Sequence, residues 1–221
     1  MKPQFGNIKE LNLFNVYVFS LPRSGSSMMT GILEKLGVKM VYTSEEPEKR
    51  KKMDEQYKKR LGEYNPNEHF YEITENPFEN WMKIINTPYS GCKVIIPVRG
   101  MIWGAITYKP SKIIMMWRDI EEIRQSQQAF YRGNAEEEAE VRRAYLRTAL
   151  VATKLQLENA KKNKKIIDFM IIEYRDVLDN PKNTIKNIAK FINSQNEIDE
   201  AIASVKPKTN RFKKEELEIG I

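Results

Sequence analysis

The chain has 221 residues, is 41% hydrophobic, and carries a formal net charge of +7 with a single cysteine, Cys92. One cysteine excludes an intramolecular disulfide and a cysteine-built metal cluster, and the length suffices to bury a full core. No Gly/Ser/Pro-rich linker, internal repeat or low-complexity tract divides it, so a single domain over 1–221 is expected.

In chain order, the first strong signal is the apolar run Val16-Tyr17-Val18-Phe19, read as a strand over 15–20. It enters Ser20-Leu21-Pro22-Arg23-Ser24-Gly25-Ser26-Ser27, and a helix over 26–36 follows with Met28, Met29, Ile32, Leu33 and Leu36 on one face. Strand, tight polar loop and helix together aim backbone N–H groups and the positive end of a helix dipole at one point, which makes an anion site. Gly25 permits close backbone approach, Ser24, Ser26 and Ser27 offer hydroxyls, and Arg23 adds a permanently charged planar fork. The G-x-x-x-x-G-K-[ST] pattern of a nucleoside triphosphatase is missing.

A short strand at 38–42 and a charged helix over about 45–62 come next. Between Glu45 and Tyr64 seven basic and six acidic residues alternate, the pattern of a solvated helix rather than a nucleic-acid-binding patch. An irregular stretch holds Asn65-Pro66-Asn67-Glu68-His69-Phe70-Tyr71-Glu72, and Pro77 to Asn86 reads as a short helix. Strands are expected at 92–97 and 111–117, with Cys92 buried or half-buried at the head of the former. A helix over 119–131 follows, with Asp119 as N-cap and Glu121 and Glu122 in its first turn. Ser126 lies eight residues beyond Arg118, which closes the strand at 111–117. Further on, a helix at 135–162, a strand at 165–173 and helices at 181–193 and 197–204 complete the pattern. Asn180 is the expected cap and Pro181 the first helical residue of the 181–193 helix, with Ile185, Ile188, Ala189 and Ile192 as its apolar stripe. Strands alternating with helices imply a parallel sheet covered on both faces, with ligands beyond the carboxyl ends of the strands, where Arg23, Arg118 and Tyr174 all fall.

The run Leu21-Pro-Arg-Ser-Gly-Ser-Ser-Met-Met resembles the 5′-phosphosulfate loop of sulfotransferases, in the arginine-bearing version of bacterial and protein-tyrosine members. Arg118 and Ser126 match the family's 3′-phosphate pair in spacing and in strand and helix context. Tyr174, in Glu173-Tyr174-Arg175-Asp176-Val177-Leu178, is similar to a tyrosine beside the cofactor's adenine, although Arg175 stands where the family has Glu. A core tyrosine fits that position equally well. The resemblance spans Val16 to Asn193. It implies a three-layer α/β/α fold of the P-loop nucleoside triphosphate hydrolase type and transfer of a sulfuryl group from 3′-phosphoadenosine 5′-phosphosulfate (PAPS) to a hydroxyl or amine.

The same resemblance assigns roles. Arg23 neutralises charge on the departing oxygen, Ser24, Gly25, Ser26 and Ser27 hold the phosphosulfate, and Lys93 assists from a neighbouring strand. Arg118, Ser126, Tyr174 and, from the carboxyl tail, Arg211 (or Lys208) grip the adenosine bisphosphate. No metal is required. The family's histidine after a lysine is absent, since Lys93-Val94-Ile95 stands in its place. The base is therefore sought at Glu72, which lies in a stretch similar to the Asn-Pro-x-Gly-Tyr-Tyr-Glu of bacterial members. Glu45, Glu46 and His69, the lone histidine, come after it. The expected acceptor is a small molecule or carbohydrate, and nucleic acid is not an expected partner. No apolar run approaches a membrane span, no signal-peptide pattern opens the chain, and the expected location is cytoplasmic. Two other readings stay open at this point: a P-loop phosphotransferase such as a nucleotide kinase, and an inactive binder of adenosine bisphosphate or polyanions.

Overall fold

The computed structural model describes residues 14–41, 55, 77–98, 100–131, 139–194 and 196–205. Five strands form one sheet: β1 (Asn15–Ser20), β2 (Lys39–Met40), β3 (Ser90–Ile95), β4 (Ser111–Trp117) and β5 (Asp168–Glu173), in the order β2-β3-β1-β4-β5. Every pairing is parallel. The helices are α1 (Ser26–Lys35), α2 (Pro77–Asn86), α3 (Gly100–Tyr108), α4 (Ile120–Tyr131), α5 (Ala139–Lys162), α6 (Tyr174–Asp179), α7 (Pro181–Phe191) and α8 (Asp199–Ala203).

Alternation along β1 decides the layering. Val16 and Val18 face a core closed by Met29, Ile32 and Leu33 of α1 with Leu36 just past its end, by Val177 and Leu178 of α6, and by Ile185 and Ile188 of α7. Tyr17 and Phe19 face the opposite core, closed by Trp81 and Ile84 of α2, Ile106 of α3, Ile123 of α4 and Leu146, Leu150 and Leu157 of α5. Every residue of β1 is buried, as a central strand covered on both sides requires. Each large apolar side chain so buried contributes about 1.5–3 kcal/mol. The result is a three-layer α/β/α fold, as the alternating pattern predicts.

Most boundaries fall where the sequence puts them, and the exceptions have physical causes. β3 begins at Ser90 rather than 92 because Gly91 pairs with Val16 at a distance that a Cβ would not tolerate: it would lie 1.9 Å from the Val16 carbonyl oxygen. The strand ends at Ile95, just short of Pro97, which has no N–H to give a ladder. β5 starts at Asp168, not 165, because the Lys165 N–H turns back to the Ala160 carbonyl to close α5. Helix α3 is absent from the sequence reading. Its Gly-Met-Ile-Trp-Gly-Ala-Ile-Thr-Tyr carries two glycines and no polar face, so neither propensity nor periodicity marks it. Helix α6 was likewise unmarked and abuts α7. Asn180 occupies the cap position of α7, but without a side-chain cap hydrogen bond, while Pro181 is the first helical residue as expected. Of the charged helix at 45–62, only Glu55 is described, and it is helical. Cys92 is fully buried in β3. No helix among the described residues is long and apolar enough to cross a membrane.

Topology sets the site. From β1 the chain passes through α1 toward the β3 side, whereas from β4 it passes through α4 and α5 toward β5. The connections therefore diverge between the carboxyl ends of β1 and β4, which is where open α/β sheets leave a crevice.

Candidate functional site

The loop between β1 and α1 is a sharp turn with two residues in left-handed conformation, Arg23 (φ 73°) and Gly25 (φ 91°). For arginine such a φ costs on the order of 1 kcal/mol or more and persists only where neighbours enforce it. Here the neighbours hold the loop by its carbonyl oxygens. The Pro22 carbonyl accepts from Gln127 Nε2 at 3.0 Å, and the Arg23 carbonyl accepts from Arg118 Nη1 at 2.9 Å. Gln127 is itself clamped, its Oε1 accepting from Arg142 Nε and Nη2 at 3.0 and 2.7 Å. The Ser24 hydroxyl donates to the Leu21 carbonyl at 2.7 Å, so this side chain shapes the turn.

Gly25 is the N-cap of α1 and provides no side-chain cap, while the Met29 N–H reaches back to its carbonyl. The N–H groups ahead of Met29 have no acceptor within the helix, and Ser26 and Ser27 sit among them. Only glycine fits at 25. A Cβ there would stand 2.4 Å from Tyr174 Cδ2, in addition to the strain of its φ.

The second expected anchor meets the first directly. Arg118 leaves the end of β4, buried, and Ser126 lies two turns up α4. Arg23 Nε donates to Ser126 Oγ at 3.2 Å, which joins residues 103 positions apart. Asp119 caps α4 as predicted, its Oδ1 accepting from the N–H groups of Glu121 and Glu122 at 2.8 and 3.2 Å. The Arg118 guanidinium lies over the Tyr174 ring at 4.2 Å. Tyr174 is thus packed between the glycine of the loop and the arginine of β4, and it belongs to the α1-side core.

Sequence reasoning missed Glu122. Its side chain is completely buried, with Oε2 accepting from Arg118 Nε at 2.9 Å and Oε1 from Arg175 Nε and Nη2 at 3.0 and 2.6 Å. The available signal was spacing: Glu122 and Ser126 are four apart and share one face of α4. Arg175, noted only as a departure from the family pattern, is the partner that makes this burial tolerable. Two guanidinium groups, those of Arg118 and Arg175, share this one carboxylate, and Arg23 joins the same cluster through Ser126 and through its own carbonyl.

Lys93 is buried on β3 in register with Val18, two positions before the strand-to-loop junction and on the face covered by α1. A cleft of about 310 Å³ adjoins Arg118 and is lined also by Trp117, Asp119, Ile120, Arg143 and Arg147. At its rim, hydrogen bonding from Arg124 holds Glu121 down at about 2, against the effect of burial and with help from Arg143. Across the end of β5, burial together with Asp176 and Asp119 pushes the Glu173 carboxyl up. Glu72, Glu45, Glu46, His69, Lys208 and Arg211 lie outside the described residues. Among the described residues no group of His, Cys, Asp and Glu is arranged to hold a metal ion.

No family model matches the chain, and no curated protein does. Among solved structures it is similar to the sulfotransferase domain of the Synechococcus PCC 7002 olefin synthase, with a TM-score of 0.50 and 14% identity over 98% of this chain and 86% of that one. A sulfotransferase domain from the curacin biosynthetic pathway gives a TM-score of 0.48 and 15% identity, over 87% of this chain and 78% of that one. Retinol dehydratase in complex with androsterone and the inactive cofactor PAP gives 0.47 and 15%, over 89% and 64%. At these identities the likeness establishes the fold alone: a central parallel sheet covered by helices, in the arrangement that the olefin synthase domain shares.

Proposed function

We propose that this chain is a sulfotransferase that moves a sulfuryl group from PAPS to a hydroxyl or amine of a small-molecule or carbohydrate acceptor. The observation that carries the reading is the meeting of two sequence-distant anion anchors, Arg23 Nε on Ser126 Oγ at 3.2 Å and Arg118 Nη1 on the Arg23 carbonyl at 2.9 Å. A donor with anionic groups on both the 3′ and 5′ positions of its ribose needs two such anchors in one crevice, and a shared fold with a sulfotransferase domain is consistent with it. The left-handed loop, the start of α1 without a side-chain cap and the guanidinium groups of Arg23 and Arg118 beside them all fit an anionic ligand.

Sulfuryl transfer needs mostly positioning and charge stabilisation. The S–O bond to the 5′-phosphate breaks as the acceptor oxygen or nitrogen bonds to sulfur, and the acceptor's proton leaves to a base. Arg23 neutralises charge growing on the departing oxygen, while the amides from Gly25 onward, with Ser26 and Ser27, hold the sulfuryl group in line. Lys93 adds positive charge from β3. Arg118 and Ser126 bind the 3′-phosphate, with Arg211 closing over it. Tyr174 sets the Arg118 plane and borders the nucleoside. Glu72 is the proposed base, ahead of Glu45, Glu46 and His69, and Glu72→Gln is expected to lower kcat by about 10²–10⁴-fold with bisphosphate affinity unchanged.

Thermal shift tests the core of this reading. Adenosine 3′,5′-bisphosphate should raise Tm well above AMP, ATP or heparin, since a ligand at a hundred times its Kd adds about 2.7 kcal/mol. Equal shifts from AMP and the bisphosphate would remove the 3′-phosphate assignment. Labelled PAPS against a panel of acceptor extracts then identifies the acceptor.

A further inference from the structure

We propose that Glu122 is the positioning residue of the 3′-phosphate end: it fixes where the Arg118 guanidinium lies and thereby creates the preference for a nucleotide carrying a 3′-phosphate. This rests on the sulfotransferase reading above.

A carboxylate with no exposure to water is costly unless strongly paired, so its presence under the site demands a reason. Glu122 is paired on both oxygens by different arginines. Oε1 takes the two-nitrogen edge of Arg175 at 3.0 and 2.6 Å, and Oε2 takes Arg118 Nε at 2.9 Å. The division matters. Arg118 is gripped by Nε, the nitrogen nearest its stem, which leaves Nη1 to reach the loop, where it meets the Arg23 carbonyl.

A planar guanidinium needs three constraints to be fixed in space. Glu122 supplies the edge, the Arg23 carbonyl the tip, and the Tyr174 ring at 4.2 Å the face. Of these, Glu122 is the only charged one. Removing its charge leaves Arg118 and Arg175 facing one neutral group, so their mutual repulsion pushes Arg118 off its position. An arginine already in place binds tighter because the ligand need not order it.

Calorimetric titration of the full chain with adenosine 3′,5′-bisphosphate and with AMP tests this through the ratio of the two Kd values. Glu122→Gln should raise the bisphosphate Kd about tenfold or more and the AMP Kd less than about threefold, so that the preference collapses. Arg175→Gln, which keeps the Glu122–Arg118 bond, should retain the preference within about threefold. Glu122→Asp keeps the charge but falls short by a methylene and should lie between; it replaces the Gln variant if the latter does not fold. Loss of both affinities by one common factor, or an unchanged ratio, would make Glu122 a merely structural group and overturn the proposal while leaving the sulfotransferase reading intact. Collapse of the ratio in Arg175→Gln equal to that in Glu122→Gln would assign the discrimination to Arg175 and overturn it too. A wild-type chain with no preference for the bisphosphate would overturn the sulfotransferase reading, and this proposal with it.

Discussion

Strand β4 carries a cation against an aromatic ring at each end, and the two are built for opposite purposes. At the amino end Lys112 Nζ lies 4.3 Å from the Phe14 ring and 5.5 Å from that of Phe191, and donates to the Phe191 carbonyl at 2.5 Å. Burial pushes its pKa down, against the opposing pull of Asp168. At the carboxyl end Arg118 lies 4.2 Å from Tyr174, but its charge is fixed by the Glu122 carboxylate and its tip reaches the Arg23 carbonyl. A lysine is a point charge that neutral carbonyls and ring faces can satisfy from any direction, so it plugs the bottom of the sheet. An arginine is a directed fork that cannot shed its proton, so it can be aimed. The same cation–ring contact is packing at one end of the strand and part of the site at the other. The carboxylate beneath the arginine makes the difference.

Arg23→Ala should break the carboxyl end most severely. In the proposed mechanism its charge acts on the transition state, so kcat should fall by about 10²-fold or more at saturating PAPS. Near-normal turnover would cancel its catalytic role. Gly25→Ala comes next: the new Cβ meets Tyr174 and the φ of 91° strains any L-residue, so Tm should drop and bisphosphate affinity should fall with it. The expected cost is about 2 kcal/mol or more, read by denaturant titration. A variant with native stability and affinity would mean that the loop accommodates a side chain and that the tight fit against Tyr174 is not needed.

Lys112→Met sharpens the contrast from the other end. It loses two hydrogen bonds, to the Phe191 carbonyl and to Asn193 Oδ1, and two cation–ring contacts but recovers the cost of burying charge, so the net change should be about 1 kcal/mol with bisphosphate Kd unchanged. Altered nucleotide affinity would show that the two ends of β4 are coupled. The smallest effect is expected at Glu173. Its folded-state pKa is raised, so its negative charge opposes folding at neutral pH, and that opposition vanishes once pH falls below the ordinary carboxyl value. Glu173→Gln should therefore raise Tm slightly at pH 7, and the difference should close by about pH 4. A Tm difference that stays constant across this range would rule out the charge explanation.

Local chemistry made much of this protein legible. The apolar run of β1, the Ser/Gly turn and the stripe of α1 each announce themselves within a few residues, and β4 with its capped helix does the same. Arg23, Arg118 and Ser126 were therefore identifiable as candidates, and they do meet. Helix α3 was not legible because it is apolar all round and holds two glycines, so only its packing against Phe19 and the α2-side core makes it a helix. Glu122 and Gln127 were not legible either. Each reads as an ordinary polar residue of a helix, and its role depends on Arg175 or Pro22, which lie 53 and 105 positions away.

The sequence by itself determined the parallel three-layer plan, the Ser/Gly loop from strand to helix and the arginine at the end of β4, because each follows from residues adjacent in the chain. Tertiary structure alone decided that Tyr174 lies between Gly25 and Arg118, that the loop carbonyls are held by Gln127 and Arg118, and that one buried carboxylate joins two arginines. Those contacts link α4, the loop and the start of α6 across the crevice. Their strength comes from the exclusion of water there, a property of the packed assembly that no short stretch of chain possesses.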